Sequence, residues 1–220
     1  MKQILMVIAI LLSMIAGGCD NGVKFCLGCK ERELREPKGE ELFSKRTAVI
    51  AIASVDTAKQ TGNLKERKAI KKALKKFKRF RHRVKKKDQI VIINFDLPYT
   101  AKRMIIYDLK KKQIVKRTTT AHAYKSGKLY AKVFSNVPES RLSSLGAFVT
   151  GRDFDGTHGY SLRLYGLERG LNHNARARGI IFHPRNGQTH SLGCFLLDDT
   201  DAYDLIELMK NKMFVYVYKS

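Results

Sequence analysis

The chain of 220 residues has no tryptophan, four prolines and four cysteines. No internal repeat is visible, which sets repeat arrays aside. Acidic residues are scarce: 20 Asp and Glu stand against 43 Lys and Arg, a formal net charge of +23. That excess implies anionic surroundings: nucleic acid, anionic lipid or an acidic polymer. No apolar run reaches the roughly 20 residues that cross a bilayer comfortably. No second CxxC and no paired histidines lie near Cys26 and Cys29, which argues against a zinc site there. What is present, 44% apolar and 9% aromatic residues, is the composition of a globular protein with room for one good domain plus extras.

The N-terminus carries a short basic start, Met1-Lys2, and an apolar stretch from Ile4 to Ala16 interrupted only by Ser13. These are the proportions of a secretory signal. The small residues of "IAGGC" end at Cys19 and resemble the lipobox of bacterial lipoproteins, with Ala16 where leucine is usual. The expectation is a signal over 1–18, lipidation of Cys19, and export to the periplasmic side of the envelope. An ordinary cleaved signal or an uncleaved anchor are the alternatives. Asp20 resembles the residue that retains some lipoproteins on the inner membrane. In an oxidising compartment Cys26 and Cys29 of "CLGC" are candidates for a small disulfide. That would leave Cys194 as the one free thiol.

Residues 19–64 are polar and weakly patterned, apart from "TAVIAIASV" at 47–55. Residues 65–87 hold 14 Lys and Arg and one acidic residue. Within them Ile70, Ala73, Leu74, Phe77, Phe80 and Val84 recur at the spacing of one helical face. The expectation is a basic amphipathic helix docked by that face, its charged side free for anionic polymer or lipid. From Asp88 onward the chain carries 20 Lys and Arg against 12 Asp and Glu, so a boundary is placed near 88. The region 88–220 reads as strands at 90–95, 103–109, 114–124, 159–166 and 179–183, with a closing strand at "FVYVYKS". "DTDAYDLIELMKN" at 199–211 has helical spacing with acidic residues in its first turn. Many short strands with few helices predict a mostly-β domain, a sandwich or barrel.

The chemistry concentrates in "GIIFHPRNGQTHSLGCFLL" at 179–197. A cysteine is nucleophilic as thiolate and needs an imidazole or backbone dipoles to become one. His183 ends a strand, a rigid place from which to aim a base at a loop cysteine. Gly193 permits a tight turn whose amides could face a developing oxyanion. Metal ligation by Cys194, His183 and His190 is an alternative that the spacing does not demand, and an inert buried cysteine is another.

Residues 88–220 resemble the L,D-transpeptidase catalytic fold (YkuD-like), in its murein L,D-transpeptidase catalytic domain-like branch. The likeness runs through "FDLPYTAKRMIIYDLKKKQIVKRTTTAHAYKSG", "FSNVPESRLSSLGAFVTG" and "GTHGYSLRLYGLERGLNHNARARGIIFH" to "SLGC". The family pattern of a histidine, a loop and Ser-x-Gly-Cys falls on His183, Ser191, Gly193 and Cys194. The resemblance implies a Cys194 acyl-enzyme on peptidoglycan stem peptides, with His183 as general base. It implies an oxyanion hole from the amides of Leu192, Gly193 and Cys194, and Ser191 shaping the turn. His122 and His158 are expected beside the cleft and Arg178 on substrate carboxylates, while His173 and His190 are left as surface residues.

Two positions depart from the pattern: Leu196 stands where the better-known branch has arginine, and Pro184 where glycine is frequent. No metal or cofactor is expected. The expected partners are stem peptides and, through the lipidated N-terminus, the membrane. Nucleic acid is set aside by the export signal, and a monomer is expected. Transpeptidation, carboxypeptidation and cleavage of a wall-to-protein link share one acyl-enzyme. The alternative reading is a non-catalytic, lipid-anchored wall-binding module that keeps the fold.

Overall fold

The structure is a computed structural model that describes residues 64–220. Cys19, Cys26, Cys29 and the 47–55 patch therefore lie outside the described residues. Helix α1 runs over 64–80 and tightens into a 3-10 turn at Arg81–Arg83. Nine strands follow: β1 Lys86–Asn94, β2 Met104–Asp108, β3 Gln113–Thr118, β4 Thr120–Ala121, β5 Gly146–Gly156, β6 Gly159–Gly166, β7 Ile181–Pro184, β8 Phe195–Leu197 and β9 Met213–Tyr218. Helix α2, Ala202–Met209, precedes β9. The expected mostly-β architecture is what the chain adopts.

The strands form one sheet in the order β3-β2-β1-β9-β5-β6-β7-β8-β4. Only Thr119 separates β3 from β4, yet they occupy opposite ends of that order. Consecutive Cα atoms are about 3.8 Å apart, so the two edges must meet and the sheet must curl round on itself. The run 114–124, expected as one strand, is thus split: β3 ends at Thr118, β4 pairs with β8, and Tyr124–Ser126 is a 3-10 turn. β-Branched periodicity cannot reveal a change of partner in mid-run.

β1 and β9 pair in parallel, and β1 from Ile90 onward and all of β9 are buried on both faces, which explains apolar runs without alternation. Val91, Ile93, Met213, Val215 and Val217 point into the enclosed core with Phe148, Phe182 and Phe195. Ile90, Ile92, Phe214, Tyr216 and Tyr218 point outward, where α1 covers them with Ala69, Ala73 and Phe77. Phe77 meets Phe214 edge-on at 5.5 Å. Burying one such ring contributes about 1.5–3 kcal/mol. Ion pairs of Lys76 with Glu168 and Arg117 with Glu66 fix the helix on the sheet. The thinning of charge near 88 falls inside β1, whose first residue is Lys86.

Candidate active site

β7 and β8 lie side by side in parallel, with Phe182 opposite Phe195 and His183 opposite Leu196. Phe182, Phe195 and Leu197 belong to the enclosed core, so His183 and Leu196 project from the other face. Cys194 precedes β8 by one residue and shares the parity of Leu196. His183 and Cys194 are thus carried by neighbouring strands, His183 within β7 and Cys194 in the bend that leads into β8. Both side chains line a cavity of about 610 Å³, together with His158, Gln188, His190 and Leu192. Leu192, 67% exposed, forms an apolar lip.

The turn before Cys194 is organised by Ser191. Its hydroxyl donates to the Cys194 carbonyl at 2.7 Å and accepts from the Gly193 amide at 3.1 Å. Its backbone is bonded to His122 and Tyr124, which seats the turn against the end of β4. Gly193 has φ +151, and a Cβ there would stand 2.8 Å from Ile180 Cδ1. The positive φ is what calls for glycine here, since side-chain-bearing residues rarely adopt it. The Gly193 amide is therefore spent on Ser191, contrary to the expectation that it faces the groove. The Leu192 and Cys194 amides have no acceptor within the turn.

His183 is buried, and its Nδ1 lies 2.8 Å from the Pro184 carbonyl. A carbonyl only accepts, so Nδ1 carries the proton and Nε2 is left as the basic nitrogen. Burial lowers the pKa of His183 below the usual histidine value; the Pro184 carbonyl opposes this and His158 adds to it. The Cys194 thiol is half-buried and free, and its sulfur contacts the Gly179 carbonyl at 3.5 Å. Burial pushes its pKa up, against a backbone hydrogen bond from Ile181 and the charge of Arg178. Both shifts favour a neutral thiol beside a neutral imidazole in the resting site, rather than a preformed ion pair.

The remaining sequence candidates separate. His158 is exposed, lines the cavity and stacks on His183. His122 is fully buried, not on the cleft wall. Its Nδ1 accepts from the buried Arg103 at 2.8 Å, and Nε2 donates to the Gly127 carbonyl at 2.8 Å. Burial, with Arg103 adding to it, brings its pKa down to about 4. Arg178 is not among the residues lining the cavity. Its Nη1 donates to Ser135 O at 2.7 Å and its Nη2 to Leu142 O at 2.6 Å, which holds the 135–144 loop beside Gly193. His173 bonds Asn136 outside the cavity.

His190, left as a surface residue, lines the cavity. Its Nε2 donates to the Lys128 carbonyl at 2.7 Å, and its ring lies 5.1 Å from those of His122 and Tyr99. The signal for it was present, since it directly precedes Ser191 in the loop that must wall the site. Among the described residues no group of three His, Cys, Asp or Glu is placed to hold a metal ion.

The model of the L,D-transpeptidase catalytic domain matches residues 61–218. This chain belongs to that family. The match takes in α1 as well as the sheet, so the helix is part of the transpeptidase-family domain. Two solved structures are similar to it. One is the helical cell shape determining protein Pgp2 from Campylobacter jejuni, 14% identical, TM-score 0.42, covering 61% of this chain and 48% of that one. The other is an L,D-transpeptidase from Xylanimonas cellulosilytica, 17% identical, TM-score 0.35, covering 59% and 60%. The chain thus spans less than two thirds of either. A search of the curated proteins finds no match. The family supports a peptidoglycan-modifying enzyme.

Proposed function

We propose that the domain is an exported cysteine acyltransferase or hydrolase that acts on peptidoglycan stem peptides through Cys194. The observation that carries this reading is the shared cavity of Cys194 and His183, with the imidazole proton on Nδ1 and Nε2 left basic. His183 Nε2 takes the thiol proton as sulfur attacks the peptide carbonyl carbon. The carbonyl oxygen becomes an oxyanion facing the Leu192 and Cys194 amides. A donor of this kind contributes about 3–4 kcal/mol in hydrolases. The C–N bond then breaks, the leaving amine takes the proton from His183, and a thioester remains. An amine or water attacks the thioester and restores the thiol, giving transpeptidation or carboxypeptidation.

Ser191 acts as the turn-former, and His158 and His190 meet the substrate at the walls. The N-terminal segment supplies export and a lipid anchor at Cys19, which puts the domain at the periplasmic face of a membrane.

Mass spectrometry of a tetrapeptide muropeptide incubated with the protein tests the reading. Wild type should convert it, and Cys194→Ala should not. His183→Ala should lose roughly 10²–10⁴-fold, the usual share of general acid–base catalysis. Unchanged turnover in Cys194→Ala would remove the proposed nucleophile.

A second reading, a non-catalytic wall-binding module, is favoured by the hydrogen-bonded thiol whose pKa burial pushes up. A thiol-directed probe separates the two. Stoichiometric modification of Cys194 supports the enzyme, and a thiol that stays unlabelled in the folded protein supports the module.

A further inference from the structure

A second cavity, about 630 Å³, is lined by Lys85, Arg152, Arg163, Lys212, Tyr165 and Asn211 among others, with no carboxylate in its walls. Its volume is that of a site for a discrete ligand. The four cations come from the turn before β1, the middle of β5, the middle of β6 and the α2–β9 connection. None of the four is in an ion pair among the described residues, whereas Lys76, Lys116, Arg117, Lys210 and Lys219 each meet a carboxylate. Asp153, the nearest carboxylate along β5, is taken up by Lys210 and Tyr160.

The fold builds this hollow deliberately. The β5–β6 register shifts between Thr150 and Asp153, a bulge that re-aims Arg152. A Cβ at Gly151 would stand 2.5 Å from Tyr165 Cε2, so the ring lies on bare backbone and the floor stays open. Asn211 and Lys212 adopt φ of 70 and 63, and the Asn211 amide donates to the Gly151 carbonyl at 3.2 Å. The Lys85 amide donates to the Lys212 carbonyl at 3.0 Å. Arg163 is held over the Phe154 ring at 4.2 Å. Like charges gathered round one hollow repel, and a multiply charged anion relieves that repulsion.

The hollow shares no lining residue with the cleft. It nevertheless opens on the same face of the sheet. Arg163 pairs with Ile181, two residues before His183, so Arg163 and His183 project the same way from adjacent strands. A polymer lying in the cleft and extending along this face across β6 would pass the hollow.

We propose that this cavity binds the carboxylates of a second peptidoglycan segment, holding the wall while the cleft works on another stem peptide. The proposal rests on the peptidoglycan reading of the cleft. Its test uses no chemistry at Cys194, so the two can fail separately. The full chain carrying Cys194→Ala, in detergent, is sedimented with purified peptidoglycan. Adding Lys85→Gln, Arg152→Gln and Lys212→Gln, all at exposed positions, should weaken binding about tenfold, equivalent to roughly 1.4 kcal/mol.

Removing the same number of charges from exposed positions away from the cavity, the cleft and α1, by Lys102→Gln, Lys111→Gln and Arg169→Gln, should have much less effect. Equal losses in the two triple variants would reduce the binding to general charge and overturn the proposal. So would intact peptidoglycan binding in the cavity variant. If that variant instead lost binding only to phosphatidylglycerol vesicles, the cavity would belong to lipid phosphate and the proposal would fall.

Discussion

His158 lies nearly flat on His183, ring centroids 4.4 Å apart and planes 21° from parallel. An exposed histidine therefore covers one face of the proposed base. It screens that ring from water and, when charged, opposes its protonation. Both effects work in the direction of the lowered pKa of His183, for which burial is the larger cause.

His158→Ala should consequently raise the pKa of His183 toward the usual histidine value. A base works only when neutral, so activity falls as pH drops through its pKa. The acid limb of kcat/KM against pH should move to higher pH in the variant. An unmoved limb would show that the stacking leaves the base untouched.

Arg178 ties the 135–144 loop to the neighbourhood of Gly193, and its charge opposes the rise of the Cys194 pKa. In Arg178→Gln that opposition is gone. The rate of Cys194 alkylation by iodoacetamide, followed against pH, should shift to higher pH. Arg178→Lys keeps the charge without the fork, and should preserve the alkylation profile while loosening the loop to proteolysis.

The buried pair of Arg103 and His122 predicts an acid weakness. His122 has a pKa of about 4 in the fold and about 6.5 when unfolded, so the unfolded chain binds more protons between those values. This group's contribution is complete above the unfolded value and is lost as pH falls toward 4, by about 3 kcal/mol. Urea unfolding at pH 7 and pH 4.5 measures it. His122→Gln should be destabilised at pH 7 but should lose less between the two than wild type. Equal losses would place the acid sensitivity elsewhere.

Helix α1 is held to the sheet by its apolar face, with Phe77 at the centre against Phe214. Phe77→Ala should destabilise the domain by about 3–5 kcal/mol, read as a lower urea midpoint. A change near zero would mean that the helix contributes its charge but not its packing.

Much of this molecule is legible in local pattern. The spacing from Ile70 to Phe80 foretells a helix with one buried face, because 3.6-residue periodicity is a local property. The clean alternation of "GYSLRLYG" coincides with β6, since one of its faces lines the core. The pairing of a strand-end His183 with a glycine-preceded Cys194 is likewise written in one short segment. The 114–124 run reads as one strand because nothing local marks where β3 gives way to β4. Closure of the sheet decides it.

What the sequence by itself determined, then, is helix α1, α2 and the strands with a clear local pattern, together with the segment that holds His183 and Cys194; β5 and β8, which it does not mark, take their form from the strands they pair with. Which histidine meets solvent was decided only by the tertiary structure. His122 and His190 are both polar and both near apolar residues, and nothing within a few residues of either distinguishes them. His122 follows β4 into the interior and becomes the partner of Arg103, nineteen positions away in the sequence. His190 rides on the loop that β7 and β8 hold open over the cleft. Burial depends on which strands close over a residue, and those strands come from distant parts of the chain.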